Sequence, residues 1–511
     1  MAFFDQRPED QCSVFANRWL ALGVIVLAGL ILRLLTPFAD VYGEPDVARL
    51  VVDAELLRKG GVTTQLISEY RYYVSPGYIF LALGAGIAAD ALGIHVGYLL
   101  NGINALTFVV FGVAAYFLIA RLTDRTAAFF AATSLLFMPV VFWGGAYGFP
   151  SLISVLALTI ATLLYDMRLT DQHWLGRHGD LVIIVALLIG AALLKADMYL
   201  AAIGLIALQL HRRGWHSREL AFLIAILGIA PIVTIMVGKT MLAGDAQFTQ
   251  FATGYQKKYG LELWRAYSWW YIEGWMMAFG LFATPIAVIG AIRMLLTGHW
   301  RLIAALLMWA GAPFLFWYFR IGDSMRHHLP EALPIAIGIG VAIGTLQRRP
   351  PLAIAALFVL LSVNYCWYPV TENGYRPSGR LVGSLQDRHA YVERLHYFGK
   401  TYAANPSSKK VILGTVGNPY ADAEVLENAA KVTSARRDHE LGYDQIVHDI
   451  IDHHGRAIIH TSVRVDPDKA PAAANVYQNA GYSVFSFEYD LIEGVENDLS
   501  AVVKLSTPAR D

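Results

Sequence analysis

Apolar residues in this chain come in long blocks separated by short polar or charged segments. The first block covers residues 19–38 and gives way to a polar, aromatic stretch at 40–74. A membrane-spanning helix needs about 20 mostly apolar residues. Further blocks lie at 96–120, 126–146, 149–166, 181–194, 196–210, 219–237, 274–296, 301–319, 329–346 and 352–367. The pattern predicts a polytopic α-helical membrane protein with about 11 transmembrane helices. Residues 181–194 and 196–210 form a tight hairpin hinged at Lys195. Residues 76–92 are apolar but shorter, and no basic residue follows them, so they are predicted to embed on one side without crossing. Arg18 precedes the first block, and its length predicts a retained anchor rather than a cleaved signal.

After residue 367 the pattern changes. Strands are predicted at 410–414, from Arg456 and from Tyr482, and helices at 422–431, 444–454 and 471–480. Alternating strands and helices predict a small soluble α/β domain. The expected division is a transmembrane module at 1–368 and a C-terminal domain at 369–511.

Composition agrees with the blocks. Of 511 residues, 56% are hydrophobic and 16% charged, against about 25% charged in a soluble chain. Mean hydropathy is +0.46. Formal net charge is zero, so no bulk basic field points to nucleic acid. Cys12 and Cys366 lie at opposite ends of the block series, and no disulfide is predicted.

Basic residues in short loops set the orientation of the helices. With the N-terminus in the cytoplasm, Arg121, Arg125, Arg168, Arg177, Arg212, Arg213, Arg218, Arg293, Arg301, Arg348 and Arg349 all fall inside. The C-terminal domain then lies outside, in the periplasm or its equivalent. The outer loops supply Asp40, Glu44, Asp46, Arg71, Lys195, Asp197, Arg320, Asp323, Arg326, His327, His328 and Glu331, with acids clustered early and bases late. Charges at a bilayer face are costly and mark functional sites. A carboxylate can take a proton from an acceptor hydroxyl, while Arg and Lys hold an anionic leaving group.

Asp46 opens a helical pattern, with Val47, Leu50, Val51, Ala54 and Leu57 on one face. Such a helix lies in the headgroup plane. A carboxylate at its N-terminus also fits a plain capping role, so the residues alone leave Asp46 open between cap and base.

The order of features then matters: a span, an acidic turn at Glu44 and Asp46, an in-plane helix ending in Gly60-Gly61, an aromatic loop, Ser75-Pro76-Gly77, and an apolar half-helix. It resembles the C-type (GT-C) membrane glycosyltransferases. That superfamily includes the protein O-mannosyltransferases, the lipid A aminoarabinose transferase and the catalytic subunit of oligosaccharyltransferase. Leu194-Lys195-Ala196-Asp197 is similar to a Leu-Thr-Lys stretch of the family. Arg326-His327-His328-Leu329-Pro330 is similar to its Arg-Tyr/His-x-x-Pro stretch. The likeness covers roughly residues 19–370.

The resemblance implies a GT-C fold with in-plane periplasmic helices. It also implies an inverting enzyme that moves a sugar from a polyprenyl-phosphate donor to a cell-envelope acceptor. That acceptor would be a lipid-linked glycan, lipopolysaccharide or similar, reached at the outer face of the cytoplasmic (inner) membrane. Asp46 takes the role of base, and Glu44 is either a second acid displaced from the family's Asp-Glu pair or part of the turn before Pro45. Arg71, Tyr72, Tyr147, Lys195, Asp197, Arg320, Arg326, His327 and His328 become substrate-binding candidates.

The sequence departs from the family in the loop at 145–151, which holds no second acid. A hard divalent cation wants several oxygen ligands, so metal-independent transfer is favoured over transfer assisted by a divalent cation, and no metal site is predicted. His448, Asp449, Asp452 and His453 are read as a solvated helix face. Trp264, Trp269, Trp270, Tyr271 and Trp275 are read as an interfacial belt. A transporter or scramblase of lipid-linked sugar is the competing class. A glycan polymerase or ligase using a diphosphate-linked donor is a third.

Overall fold

Among the described residues of the structure, a computed structural model, there are thirteen α-helices, three short 3-10 helices and five strands. It describes residues 14–34, 76–94, 96–144, 150–195, 198–214, 218–241, 274–276, 278–320, 325–362, 409–414, 429–437, 446–452, 457–461 and 483–487. The predicted in-plane helix after Asp46, the loop at 242–273 and the predicted helix at 471–480 lie outside these residues.

The helices are α1 (Arg18–Leu34), α2 (Pro76–Leu92), α3 (Val96–Leu122), α4 (Arg125–Phe137), α5 (Pro139–Gly144), α6 (Pro150–Leu169) and α7 (Gly176–Leu194). They continue as α8 (Gly204–Arg213), α9 (Arg218–Met241), α10 (Ala283–Leu296), α11 (Trp300–Arg320), α12 (Ala332–Gly344) and α13 (Pro350–Val359). Short 3-10 turns at Met198–Ile203 and Met325–His328 precede α8 and α12. Among the described residues three helical stretches are long and apolar enough to cross a membrane: Leu99–Leu122, Pro150–Leu169 and Gly176–Leu194.

The chain is a membrane protein, and the helix surfaces show why. In α1 the buried positions Ala21, Ile25, Gly29 and Leu32 form one helical stripe, while Trp19, Leu27, Leu30 and Ile31 are exposed. Val288, Ile289 and Ile292 of α10 and Ile354 and Phe358 of α13 are exposed as well. Apolar surface on this scale has no aqueous rationale and matches hydrocarbon. The inner stripes meet in a core that includes Phe108 and Phe111 of α3, Phe130 of α4 and Phe142 of α5, all fully buried.

Two predicted blocks are broken in the structure. Residues 126–146 divide at Met138, whose ψ of 127° leaves the helical region, because the ring of Pro139 crowds the residue before it. Residues 274–296 divide at Gly280, which takes φ +73° and so can close a turn that other residues resist. Its N–H donates to Met276 O at 2.7 Å. The hinge at Lys195 is present, but the second arm of that hairpin starts as the 3-10 turn.

Close helix crossings depend on missing side chains. At the contact of α10 with α12, a Cβ on Gly290 would lie 1.9 Å from Gly338 O. Small residues let backbones approach where lipid supplies no hydrophobic drive.

The five strands are β1 (Lys409–Gly414), β2 (Ala429–Arg437), β3 (Ile446–Asp452), β4 (Ala457–Thr461) and β5 (Ser483–Phe487). They form one sheet in the order β2-β3-β4-β1-β5. β1 pairs parallel with β4 and β5, while β3 pairs antiparallel with β2 and β4. The strands predicted at 410–414, from Arg456 and from Tyr482 correspond to β1, β4 and β5. The helix predicted at 444–454 is instead β3, and residues 429–431 of the helix predicted at 422–431 belong to β2. The β-branched residues Ile446, Val447, Ile450 and Ile451 favour extended backbone. His448 and Asp452 therefore sit on a strand, with His448 in register with His460.

Candidate functional site at one end of the bundle

Charge separates the two ends of the helices. At one end Asp166, fully buried, meets Arg121 Nε and Arg212 Nε, each at 2.7 Å. Arg121 also donates to Gln172 Oε1 and Thr170 Oγ1. Arg213 donates to Leu169 O and Asp171, and Arg168 lies 3.8 Å from Glu219. These guanidiniums join the ends of α3, α6, α8 and α9. His211 belongs to the same end and is pushed down to about 4, by burial first and then by Arg212 and Arg301.

The opposite end gathers different chemistry. The start of α2 meets the end of α7, where a Cβ on Gly77 would lie 3.0 Å from Leu193 C and Cβ. Gly77 belongs to the Ser75-Pro76-Gly77 motif and Leu193 stands two residues before Lys195, so the structure joins these two parts of the resemblance. Lys195 closes α7, its N–H donating to Ala191 O at 3.0 Å, and its side chain is half-buried. Ser154 Oγ donates to the same Ala191 carbonyl at 2.9 Å, which sets the start of α6 beside Lys195. Gly144, the last residue of α5, faces Leu329, the residue after His328.

His327 and His328 are both buried. The ring of Trp275 stands edge-on to His328, with centroids 5.4 Å apart, and Phe279 lies at 6.3 Å. Trp275 also packs on Phe314 and donates to Thr284 Oγ1. It is therefore an inward-facing residue and not part of an interfacial belt. Burial first, then the neighbouring His327, pushes His328 down to about 3. Burial thus favours the neutral imidazole of His328. Glu331 is fully buried one helical turn on.

Arg33, near the end of α1, was not singled out from sequence. Its Nη2 donates to Phe142 O at 2.8 Å. Its guanidinium carbon lies 4.0 Å from the centre of the Phe108 ring and 4.4 Å from that of Phe142, distances at which ring faces attract cations. The sequence does carry the clue, a cation within an apolar block.

Asp46, Glu44, Arg71, Tyr72, Tyr147 and Asp197 lie outside the described residues. For Arg320 and Arg326 the backbone is described, in α11 and in the turn at Met325–His328. Their positions put them at the same end as Lys195 and His328. Among the described residues no group of three or more His, Cys, Asp or Glu is arranged to hold a metal ion.

Comparison with solved structures finds similarity to the oligosaccharyltransferase of Archaeoglobus fulgidus in its apo form. Identity is 15% and the TM-score 0.45, over 68% of this chain and 52% of that one. Another structure of that enzyme, in complex with an inhibitory peptide and a dolichol-phosphate, matches at 15% and 0.45, over 67% and 52%. ArnT from Cupriavidus metallidurans bound to undecaprenyl phosphate matches at 14% identity and TM-score 0.46, over 68% of this chain and 62% of that one. Both are GT-C enzymes, the superfamily whose motif order the sequence resembles. The chain spans about half the length of the oligosaccharyltransferase. No family model and no curated protein matches the sequence.

Proposed function

We propose that the chain is an inverting glycosyltransferase of the outer face of the cytoplasmic membrane. It takes a sugar from a polyprenyl-phosphate donor and passes it to a cell-envelope acceptor. About eleven crossings, with the N-terminus in the cytoplasm, make up residues 1–368. Residues 369–511 form an α/β domain on the outer side. One observation carries this reading: Gly77, Lys195, the end of α5 and His327–His328 share one end of the bundle. Gly77, Lys195 and His327–His328 belong to separate parts of the sequence motif order, and the Arg121–Asp166–Arg212 network stands at the other end.

The chemistry follows from residue types. The Asp46 carboxylate takes the proton of the acceptor hydroxyl. The freed oxygen forms a bond to the anomeric carbon on the face opposite the phosphate. The bond from that carbon to the phosphate oxygen breaks, and its electron pair leaves with the polyprenyl phosphate. Lys195, Arg320 and Arg326 neutralise the departing anion. His327 and neutral His328 offer hydrogen bonds to sugar or phosphate, with Arg71, Tyr72, Tyr147 and Asp197 completing the donor and acceptor contacts. Glu44 is a second acid beside the base.

The test uses purified protein in lipid nanodiscs with labelled polyprenyl-phosphate sugar and an envelope-lipid extract as acceptor. Acceptor-dependent release of free polyprenyl phosphate is expected. Movement of intact donor across liposomes without release would instead establish a transporter. Turnover only with a diphosphate-linked donor would establish the polymerase or ligase class.

A further inference from the structure

We propose that Glu331 is a positioning residue for this site, its carboxyl group fixing the ring orientation and tautomer of His328. Glu331 stands at the N-cap position of α12, yet its side chain makes no capping hydrogen bond. Both carboxyl oxygens are buried and meet no hydrogen-bond donor among the described residues. The polar atom they face is His328 Nδ1, 4.0 Å from Oε1. Among the described residues an ionised carboxylate in such a place lacks the side-chain partner that burial requires. A carboxylic acid does not, because its O–H can donate.

The surroundings favour that exchange. Trp309 Nε1 donates to Pro330 O at 2.9 Å, and Ile335 N donates to Glu331 O at 3.1 Å, so the backbone under the pair is held. The 4.0 Å gap is about 1 Å longer than a hydrogen bond, a distance that side-chain rotation covers. Apolar rings of Trp275 and Phe279 wall His328. Among the described residues His327, on the same turn, is a further titratable neighbour. A proton donated by Glu331 makes Nδ1 the acceptor and places the ring's own hydrogen on Nε2. His328 then presents one defined N–H donor.

The pairing itself stands on geometry, while its effect on turnover rests on the glycosyltransfer reading. The test uses full-length protein with 15N-labelled histidine in nanodiscs, with the His328 signals assigned from His328→Gln. Glu331→Gln keeps a donor of the same shape, so the Nδ1-acceptor, Nε2–H pattern is expected to persist. Its transfer rate is expected to stay within about threefold of wild type. Glu331→Leu removes the donor. Its Nδ1 signal is expected to shift, and kcat to fall about tenfold or more with donor KM little changed. Unchanged ring-nitrogen signals in Glu331→Leu would overturn the proposal. So would a Glu331→Gln spectrum lacking the wild-type pattern, which decides the matter even where Glu331→Leu fails to fold. The nitrogen signals need no turnover, so failure of the glycosyltransfer reading is told apart from failure of the pairing.

Discussion

Arg33 places a permanent charge inside the bundle and converts it into a fixed contact between α1 and α5. The guanidinium spans two rings and one carbonyl, which a lysine ammonium cannot do. Arg33→Lys is therefore expected to weaken the protein nearly as much as Arg33→Met. Thermal unfolding in detergent should drop by several degrees for both, and a wild-type midpoint for Arg33→Lys would contradict the stacking role. The sequence displays this arginine plainly within residues 19–38. Which carbonyl it holds depends on the break at Pro139, which hydrophobic patterning does not reveal. Asp46 is the reverse case: the motif order singles it out, and its helix pattern is legible, while its neighbours in space are not. His328 was legible as a residue of interest but not as a neutral one, because burial is set by Trp275 and Phe279 from a different part of the chain.

At the scale of elements, apolar blocks read as helices reliably, since length and composition decide them. Breaks within blocks were less legible because a single Pro139 or Gly280 sets them. The strand β3 was misread, because His and Asp residues at helical spacing hid the extended preference of Ile446, Val447, Ile450 and Ile451. Two substitutions test the contacts between helices. Gly338→Val would drive a side chain toward Ala287, whose carbonyl lies 2.6 Å from the first added carbon. A loss of about 1–3 kcal/mol is expected, read as a lower unfolding midpoint. No loss would mean that α10 and α12 do not cross at this pair. Asp166→Asn leaves two buried or half-buried guanidiniums without their shared carboxylate. A loss of about 3 kcal/mol is expected, and an unchanged midpoint would contradict a structural role for that network.

Across the whole molecule the two ends divide the work, with ion pairs fixing one and candidate chemistry gathered at the other. The burial of histidines adds a pH dependence. His328 and His211 are pushed down to about 3 and about 4, whereas an unfolded chain binds those protons near about pH 6.5. At these two sites the unfolded chain holds more protons below that pH, so their contribution to stability is full above about 6.5 and falls as pH drops toward 4. The slope of thermal midpoint against pH, recorded from about pH 7 down to about 4.5, should be less positive in His211→Gln than in wild type. An identical slope in that variant would contradict the burial of His211.

Asp46, at the opening of the predicted in-plane helix, is the proposed base. Release of polyprenyl phosphate from labelled donor by Asp46→Asn, with folding checked by size-exclusion and thermal unfolding, tests it most directly. A fall of about a hundredfold or more at unchanged stability is expected. Turnover at the wild-type rate by the folded variant would contradict it.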